Sequence, residues 1–300
     1  MSEIAGPPFD PNTRLVVADV GGTQLRVAVA DMRGHLTRRY SQPTPADDPA
    51  SLQRMIEQLL ATNDGMIEAV VVGVPGVVDY QDGSVLRFPN LPGWNGQISE
   101  EQLTDELDIP VQLANDADLA ALGEHRYGAG RGFNDIVYVT VSTGIGAGVV
   151  IEGLLLTARY SLGEIGQSVV DWNTGEVLEA VASGTALAQA AGMDARTVVE
   201  RAFEGDKAAL GHLDRAGRAL GAGLLNLVRL YAPEAIIVGG GLGLAAGGLL
   251  LDPVRAVWER SATGAPWPQL IPAALGDDAG LMGAAAFWQD LFIQEAAGLI

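Results

Sequence analysis

The stretch RLVVADVGGTQLRVAVAD, residues 14–31, decides the fold of this chain. Two runs rich in valine and alanine flank Gly21 and Gly22, and glycine tolerates the positive φ angles that hairpin turns require. The stretch therefore predicts two paired strands joined by a glycine turn. The same order of strand, glycine turn and strand returns in DIVYVTVSTGIGAGVVIEGLLL, residues 135–156. Two such hairpins indicate two related α/β halves with a cleft between them.

Other segments carry helix or strand patterns. SLQRMIEQLLATN, residues 51–63, repeats apolar side chains at helical spacing, and AVVVGVPGVVD, residues 69–79, predicts a buried strand that ends at Pro75 and Gly76. Proline, asparagine and glycine predict a loop over residues 88–96. The remaining predictions are a strand and a helix that meet at Asn115 and Asp116, helices from about Glu176 onward, a strand within residues 234–243 and a helical C-terminal tail.

The composition excludes several classes of function. The 300 residues carry a net charge of −19, which argues against nucleic acid or an anionic membrane as a partner, because phosphates attract clustered Lys and Arg. The chain has no cysteine, and the spacing of His35, His125 and His212 is not that of metal ligands. Residues 1–14 lack a signal-peptide pattern, and no apolar run has the ~20 residues of a membrane helix. A soluble, cytoplasmic protein is therefore predicted.

Three glycine-rich turns are candidate phosphate sites. In DVGGT, residues 19–23, the glycines let the backbone approach a phosphate, Thr23 adds a hydroxyl, and Asp19 could hold Mg²⁺ directly or through water. STGIGAG, residues 142–148, and GGGLG, residues 239–243, offer similar backbone cradles. Each of the three turns taken alone can also be an ordinary tight turn, and none of them is a P-loop. The evidence for phosphate binding therefore lies in the three turns taken together and in order.

Asn115 and Asp116 stand where a predicted strand gives way to a helix. A carboxylate in that place is commonly a helix N-cap. The functional alternative is a general base, in which Asp116 accepts a hydroxyl proton while Asn115 orients the same substrate. Trp94 in LPGWNG leaves a similar choice, because it either stacks on a ligand or pins its loop.

Taken in order, these segments resemble the ROK family of sugar kinases, a branch of the actin–hexokinase ATPase superfamily. The resemblance runs from about residue 14 to residue 288, which is nearly the whole chain. The matching segments are, in chain order, ADVGGTQLRVAVAD, GVPGVVD, FPNLPGW, NDADLAALGE, VTVSTGIGAGVV, LGEIGQ, LEAVASGTALA and IIVGGGLG.

The resemblance implies an α/β, two-lobed actin-like ATPase (ribonuclease H-like) fold, with nucleotide and hexose meeting in a cleft between the lobes. A small N-terminal lobe would span residues 1–116 and be joined by the C-terminal helix at about residues 285–300, while residues 117–284 would form the large lobe. The family also implies ATP and Mg²⁺ as cofactors and a homodimer as the assembly.

Residue roles follow from the matched positions. Asp116 would be the catalytic base. The substrate-binding group would be Asn90, Asn115, Asp116, Glu164, Gln167 and Glu179. The group facing phosphate, Mg²⁺ or adenosine would be Asp19, Gly21, Gly22, Thr23, Thr143, Gly144, Gly240 and Gly241.

This sequence departs from the family at its zinc motif. The family usually has a zinc-binding His that also touches the sugar after Gly-Glu-Ile-Gly, and Gln167 stands there. The usual cysteine-rich zinc loop is replaced by DWNTGEV, residues 171–177, so no zinc site is expected. The loop would be held by packing alone, with Trp172 and the turn at Asn173 to Gly175 as candidates. Tyr160 and Leu162 replace small residues and make the sugar preference an open question.

The resulting hypothesis is ATP-dependent phosphorylation of a hexose, with glucose at its 6-hydroxyl as the first choice. The alternatives are fructose, mannose or an N-acetylated hexosamine as the sugar, and polyphosphate as the donor, for which a charge of −19 offers little attraction. A sugar-responsive repressor is disfavoured because only 13 residues precede Arg14. A non-catalytic sugar-binding relative is disfavoured by Asp116, Asp19 and Thr23.

Overall fold

The structure is a computed structural model that describes residues 12–63, 65–261 and 266–296. The chain divides into two units. The first unit runs to Tyr127 and also includes Leu154–Leu162 and the chain from Asp278 onward. The second unit comprises Gly128–Gly153 and Gly163–Asp277. This division places the whole helix that follows Asn115 in the first unit, and the lobe boundary at residue 116 stays a prediction.

The strands of the described residues alternate with helices along the chain. They are β1 (Arg14–Val20), β2 (Gln24–Asp31), β3 (Leu36–Pro43), β4 (Ile67–Val74), β5 (Val77–Asp79), β6 (Ser84–Arg87), β7 (Val111–Asn115), β8 (Ile136–Val141), β9 (Ile145–Ile151), β10 (Leu154–Leu155), β11 (Val169–Asp171), β12 (Glu176–Val177), β13 (Ala235–Gly239) and β14 (Gln269–Pro272).

The helices of the described residues are α1 (Ala50–Thr62), α2 (Glu100–Leu107), α3 (Asp116–Tyr127), α4 (Leu178–Ala182), α5 (Gly184–Ala191), α6 (Ala195–Phe203), α7 (Lys207–Tyr231), α8 (Gly241–Ala246), α9 (Gly248–Arg260) and α10 (Ala279–Ala296). The longest helices are α7 in the second unit, with 25 residues, and α10 in the first unit, with 18. No helix, over the part of the chain that the structure describes, is long and apolar enough to cross a membrane.

Each unit is built on a sheet that begins with one of the two predicted hairpins. In the first unit the strand order is β3-β2-β1-β4-β7, with β1 antiparallel to β2 and parallel to β4. In the second unit β9, β8, β13 and β14 follow one another, with β8 antiparallel to β9 and parallel to β13. The prediction of two α/β halves with the same opening topology is confirmed.

The two faces of β1 have different neighbours because successive side chains of a strand point to opposite faces. Val16, Ala18 and Val20 lie in a buried cluster together with the apolar face of α1, which includes Leu52 and Ile56. The alternate residues of β1 face the other side of the sheet. Asp19 is among them, and a Cβ placed on Gly280 of α10 would lie 3.9 Å from the Asp19 carboxyl carbon.

Several elements were not predicted from the sequence. β3 is mostly exposed and carries few apolar residues, so it has no alternating pattern to detect. α2 is short, but it has a readable start, since Ser99 accepts a hydrogen bond from the Gln102 N–H. A serine followed three residues later by glutamine is a capping-box pattern that sequence reasoning overlooked.

Candidate active site

The first group of predicted site residues lies at one edge of the first unit's sheet. Strands β1, β4 and β7 are parallel neighbours, so their carboxyl ends share that edge. Asp19 is near the end of β1, the turn Gly21–Thr23 follows it, and Asn115 and Asp116 join β7 to α3. Open α/β sheets bind their ligands beyond the carboxyl ends of strands. This edge is therefore a candidate ligand site.

The turn Gly21–Thr23 is braced by its neighbours. The Gly21 N–H donates to the Gln24 carbonyl at 2.9 Å, and the Thr44 hydroxyl donates to the Gly21 carbonyl at 2.6 Å. A Cβ on Gly21 would lie 2.8 Å from the Gln24 carbonyl oxygen, so only glycine fits this close approach. Gly22 and Thr23 are exposed, which leaves both accessible to a ligand.

Asp19 forms an ion pair on the hairpin itself. Its Oδ2 lies 3.0 Å from Nη1 of Arg26, and its side chain is 15% exposed. Within residues 12–63, 65–261 and 266–296 there is no group of three or more His, Asp or Glu side chains that could hold a metal. One partly exposed carboxylate fits Mg²⁺ as it is commonly bound, with substrate phosphates and water as the other ligands.

Asn90 lies beside the same turn. A Cβ on Gly22 would be 3.5 Å from the Asn90 Cβ, and the Asn90 side chain is exposed. The loop that carries Asn90 is fixed by Trp94, which is fully buried and donates its Nε1–H to the Pro45 carbonyl at 2.9 Å. Trp94 therefore pins its loop, which decides between the two interpretations that the sequence left open.

Asn115 caps α3, a role that the sequence offered for the carboxylate that follows it. Its Oδ1 accepts from the N–H groups of Ala117 and Asp118 at 2.9 and 3.2 Å, and its Nδ2 donates to the Gly76 carbonyl at 2.8 Å. The residue is only 5% exposed. These bonds occupy most of the Asn115 amide, so little of it is available to the sugar hydroxyl expected from the family.

Asp116 is the first residue of α3 and is partly exposed. Its Oδ1 accepts from the Ala117 N–H at 2.8 Å, and the Asp116 Cα lies 3.8 Å from the position of a Cβ on Gly73 of β4. The carboxylate is therefore held at the sheet edge without being sealed from solvent. This is a suitable environment for a general base that must meet a substrate hydroxyl.

The second group of predicted residues lies at the corresponding edge of the second unit. Strands β8 and β13 are parallel, so the turn after β8, which contains Thr143 and Gly144, and the Gly240 that follows β13 are at the same edge. Gly240 has a φ of +80°, and a Cβ there would lie 2.5 Å from the Val141 carbonyl oxygen. Gly241 begins α8 and has open space around it, as a residue facing a nucleotide requires.

Glu179 connects two of the predicted segments within the second unit. Its Oε2 accepts from the Ile145 N–H at 2.8 Å and lies 2.5 Å from the position of a Cβ on Gly144. A Cβ on Gly166 would be 3.3 Å from the same oxygen. The structure therefore brings the glycine turn, the Gly-Glu-Ile-Gly segment and the start of α4 around one carboxylate.

Glu164 and Gln167 lie at the two ends of a short 3₁₀ helix, Ile165–Gln167, and both are exposed. The Gln167 N–H donates to the Glu164 carbonyl at 3.0 Å, so the segment is closed by its own backbone. The family's zinc does not fit here, because the chain has no cysteine and Gln167 stands at the position of the expected His. Both side chains are exposed, so a neutral polar ligand can reach them.

The loop that replaces the zinc motif is a small hairpin of β11 and β12. Asp171 Oδ1 accepts from the Asn173 and Thr174 N–H groups at 2.8 and 3.4 Å, and the Gly175 N–H donates to the Asp171 carbonyl at 2.8 Å. These hydrogen bonds lower the pKa of the Asp171 carboxyl, the one from Asn173 most strongly. The expectation that Trp172 packs the loop is wrong, because this side chain is 86% exposed.

Sequence reasoning missed residues that act through hydrogen bonds between distant segments. Thr44 braces the first turn from the far end of β3, and Thr185 braces the second by donating its hydroxyl to the Thr143 carbonyl at 2.8 Å. Sequence reasoning also missed Arg26, which lies seven residues after Asp19 and donates a hydrogen bond to its carboxylate. In an antiparallel hairpin with a short turn, residues seven positions apart can lie opposite each other on the two strands. The strand register pairs Asp19 with Arg26 in this way.

Comparison with known proteins identifies relatives over nearly the whole chain. The sequence profile described as the ROK family matches residues 15–291. The glucokinase of Thermotoga maritima is 33% identical over 92% of this chain and 97% of its own length. The N-acetylmannosamine kinase of Shigella flexneri is 34% identical over 92% of this chain and 98% of its own.

A solved structure agrees with these sequence matches. A ROK family glucokinase from Streptomyces griseus in complex with glucose and AMPPNP has a TM-score of 0.78 and 31% identity, and the match covers 91% of this chain and 98% of that protein. The α/β fold of this chain is therefore that of the actin-like ATPases. With a family match that spans almost every described element, the chain belongs to the ROK family.

Proposed function

We propose that this chain is an ATP-dependent hexose kinase that transfers the γ-phosphoryl group of ATP to the 6-hydroxyl of glucose. The named activities of the relatives support a sugar kinase, since one is a glucokinase and another an N-acetylmannosamine kinase. The preference for glucose is the finer part of the proposal. The relative that was solved with glucose and AMPPNP supports both that sugar and an adenine nucleotide donor.

One observation carries the assignment, namely the place of Asp116. It stands partly exposed at the start of α3, and the sheet edge that holds it also carries the exposed turn Gly21–Thr23, with Asn90 beside that turn. A carboxylate for proton removal, glycine N–H groups for phosphate and an amide for a hydroxyl thus belong to one sheet edge. Phosphoryl transfer to an alcohol uses phosphate-binding groups and a base, and the amide adds a hydrogen-bond partner for a sugar hydroxyl.

In the proposed reaction the Asp116 carboxylate accepts the proton of the sugar hydroxyl as its oxygen forms a bond to the γ-phosphorus. The bond from that phosphorus to the β–γ bridging oxygen breaks, and ADP leaves with the electron pair. Asn90, Glu164, Gln167 and Glu179 orient the sugar hydroxyls. Asp19 would hold Mg²⁺, which would neutralise phosphate charge, and most of the rate would come from positioning and electrostatics.

A sugar screen tests the proposal. Protein treated with EDTA and resupplied with Mg²⁺ is assayed for ADP release with ATP and glucose, fructose, mannose, N-acetylglucosamine or N-acetylmannosamine. Glucose should give the highest kcat/KM, and omission of Mg²⁺ should abolish turnover. ADP release that no sugar raises above the blank would refute a kinase and favour a sugar-binding relative.

A second candidate sugar is an N-acetylated hexosamine. The N-acetylmannosamine kinase of Shigella flexneri matches this chain as closely as the glucokinases do. Tyr160 and Leu162, where the family tends to have small residues, are both partly exposed at about two-fifths of their surface, 39% and 41%. A higher kcat/KM for N-acetylmannosamine than for glucose would select this candidate. Polyphosphate in place of ATP in the same screen tests the donor.

A further inference from the structure

The first unit contains a buried hydrogen-bond chain next to Asp116 that the proposed reaction does not use. The hydroxyl of Tyr80, the residue after β5, donates to Oδ2 of Asp118 at 2.7 Å. The same hydroxyl accepts from the backbone N–H of Asn115 at 3.1 Å. Asp118 is only 1% exposed, so this is a charge-assisted hydrogen bond away from bulk water.

These bonds act on the residues that flank Asp116. Asn115 precedes it, and Asn115 is fixed through its backbone by Tyr80 and through its side chain by Gly76, Ala117 and Asp118. Asp118 follows it by two residues and is fixed by Tyr80. Asp116 therefore lies between two residues that are both hydrogen-bonded to the Tyr80 hydroxyl.

Burial and nearby negative charges keep the Tyr80 hydroxyl protonated, so it can donate a hydrogen bond. The pKa of Tyr80 is raised well above its usual value, chiefly by burial, and further by the negative charges of Asp118 and Asp116. The phenol therefore remains protonated throughout the range in which the enzyme would work. The hydrogen bond to Asp118 is a fixed part of the fold under those conditions.

We propose that Tyr80 and Asp118 form a positioning pair that sets the backbone direction at Asp116 and thereby aims the catalytic carboxylate. The inference rests on the proposed function, since it takes Asp116 as the base. Neither residue of the pair is assigned to touch the sugar. Its loss should therefore act on kcat rather than on KM for the sugar.

The test uses Tyr80→Phe, which removes the hydroxyl and keeps the ring packed near Phe287, 6.3 Å away between ring centroids. We expect kcat to fall by roughly 10- to 100-fold with KM for glucose unchanged, because a displacement of about 1 Å can change a rate on that scale. Asp118→Asn keeps an acceptor for the Tyr80 hydroxyl and should retain most of the parent kcat, whereas Asp118→Ala should match Tyr80→Phe. The double variant Tyr80→Phe/Asp118→Ala should be no worse than Tyr80→Phe, because loss of the hydroxyl already removes its contact with Asp118.

The matched control is Tyr127→Phe, at the other end of α3. Tyr127 is a partly buried tyrosine like Tyr80, and its hydroxyl is hydrogen-bonded to Gln289. This variant should lower Tm with unchanged kcat. Unchanged kcat in Tyr80→Phe, or an equal fall of kcat in Tyr127→Phe, would overturn the positioning role.

The failures of the two proposals are distinguishable. If Asp116→Asn is inactive while Tyr80→Phe turns over normally, only the positioning role fails. If Asp116→Asn turns over normally, the proposed function fails first. Should Tyr80→Phe not fold, the comparison of Asp118→Asn with Asp118→Ala decides the question, since equal kcat values in the two would contradict the inference.

Discussion

The turns Gly21–Thr23 and Ser142–Gly144 end the first strands of the two hairpins, and a threonine hydroxyl braces each of them. Thr44 donates to the Gly21 carbonyl, and Thr185 donates to the Thr143 carbonyl, at 2.6 and 2.8 Å. The space around Gly22 in the first turn differs from that around Gly144 in the second. A methyl group on Gly22 would meet Asn90 at an ordinary contact distance of 3.5 Å, whereas one on Gly144 would lie 2.5 Å from Glu179 Oε2.

This difference indicates that the two turns have different tasks. The first turn is open, as a turn that receives a ligand phosphate should be. The second is already in contact with a carboxylate, which accepts the Ile145 N–H at 2.8 Å. A negatively charged group so close would repel phosphate, so we expect the second turn to position Glu179 as well as to face a ligand.

The largest effect is expected at Gly163, whose backbone packs closely against β9. The Ala147 N–H donates to the Gly163 carbonyl at 2.8 Å, and a Cβ on Gly163 would lie only 1.6 Å from the Ala147 carbonyl oxygen. Gly163→Ala should therefore lower the free energy of unfolding by about 3 kcal/mol or more, or prevent folding, because the backbone must move.

Urea unfolding of the purified variant measures this effect. Gly211→Ala is the control, because Gly211 lies in α7 with open space around it and alanine there should raise stability by roughly 0.5–1 kcal/mol. Equal stabilities for the Gly163 and Gly211 variants would show that the contact between Gly163 and β9 is not close.

The stability of the first unit should depend on pH through the carboxyl group of Asp290 in α10. Burial raises the pKa of Asp290 to about 6, although its ion pair with Arg126 of α3 acts in the opposite direction. The folded state then binds this proton more tightly than the unfolded chain. The stability that Asp290 contributes is present below pH 3.8, its usual pKa, and is lost as the pH rises through about 6.

The stability difference between the parent and Asp290→Asn isolates this contribution. It should fall between about pH 4 and pH 6.5 by up to roughly 3 kcal/mol, the value for a shift of about two pKa units at a mostly buried group. Denaturant titrations at four pH values measure it. A difference that is constant over this range would contradict the raised pKa.

Alanine at Gly144 and at Gly22 should affect sugar binding differently. Gly144→Ala should displace the Glu179 carboxylate from the Ile145 N–H and raise KM for the sugar roughly ten-fold, since a hydrogen bond to a charged group contributes about 1.5–3 kcal/mol. Gly22→Ala should leave KM for the sugar nearly unchanged, because its methyl group fits beside Asn90. Steady-state kinetics with glucose decide, and equal KM values would remove the distinction between the turns.

The smallest effect is expected in the hairpin that replaces the zinc motif. Asp171→Ala removes the acceptor of two backbone N–H groups and should lower Tm slightly. Trp172→Ala should leave it unchanged, because the side chain is 86% exposed. Thermal unfolding of both variants is the measurement. A larger loss for Trp172→Ala would restore the packing explanation.

Local patterns were enough to predict the elements that carry the site. Valine-rich runs beside glycines predicted β1, β2, β8 and β9, and the apolar spacing of residues 51–63 predicted α1. Ordered motifs predicted the family, which the comparisons confirm. Such signals lie within a few residues of one another, so a single sequence displays them.

What the sequence did not display depends on long-range contacts. Nothing local distinguishes Thr44 from any other threonine, and Tyr80 reaches Asp118 across 38 positions of the chain. Trp172 was expected to pack because tryptophan is usually buried, but the backbone of Asp171 to Gly175 closes the hairpin without it. The residue roles carried over from the family remain predictions for experiment.

The most direct test of the account is the turnover of Asp116→Asn. Asparagine keeps the size of the side chain and an oxygen that can accept the Ala117 N–H, but it cannot take up a proton at neutral pH. With far-UV circular dichroism and KM for the sugar unchanged, kcat should fall by about 10²–10⁴-fold, the scale of a lost general base. A kcat near that of the parent would contradict the role of Asp116 and with it the proposed mechanism.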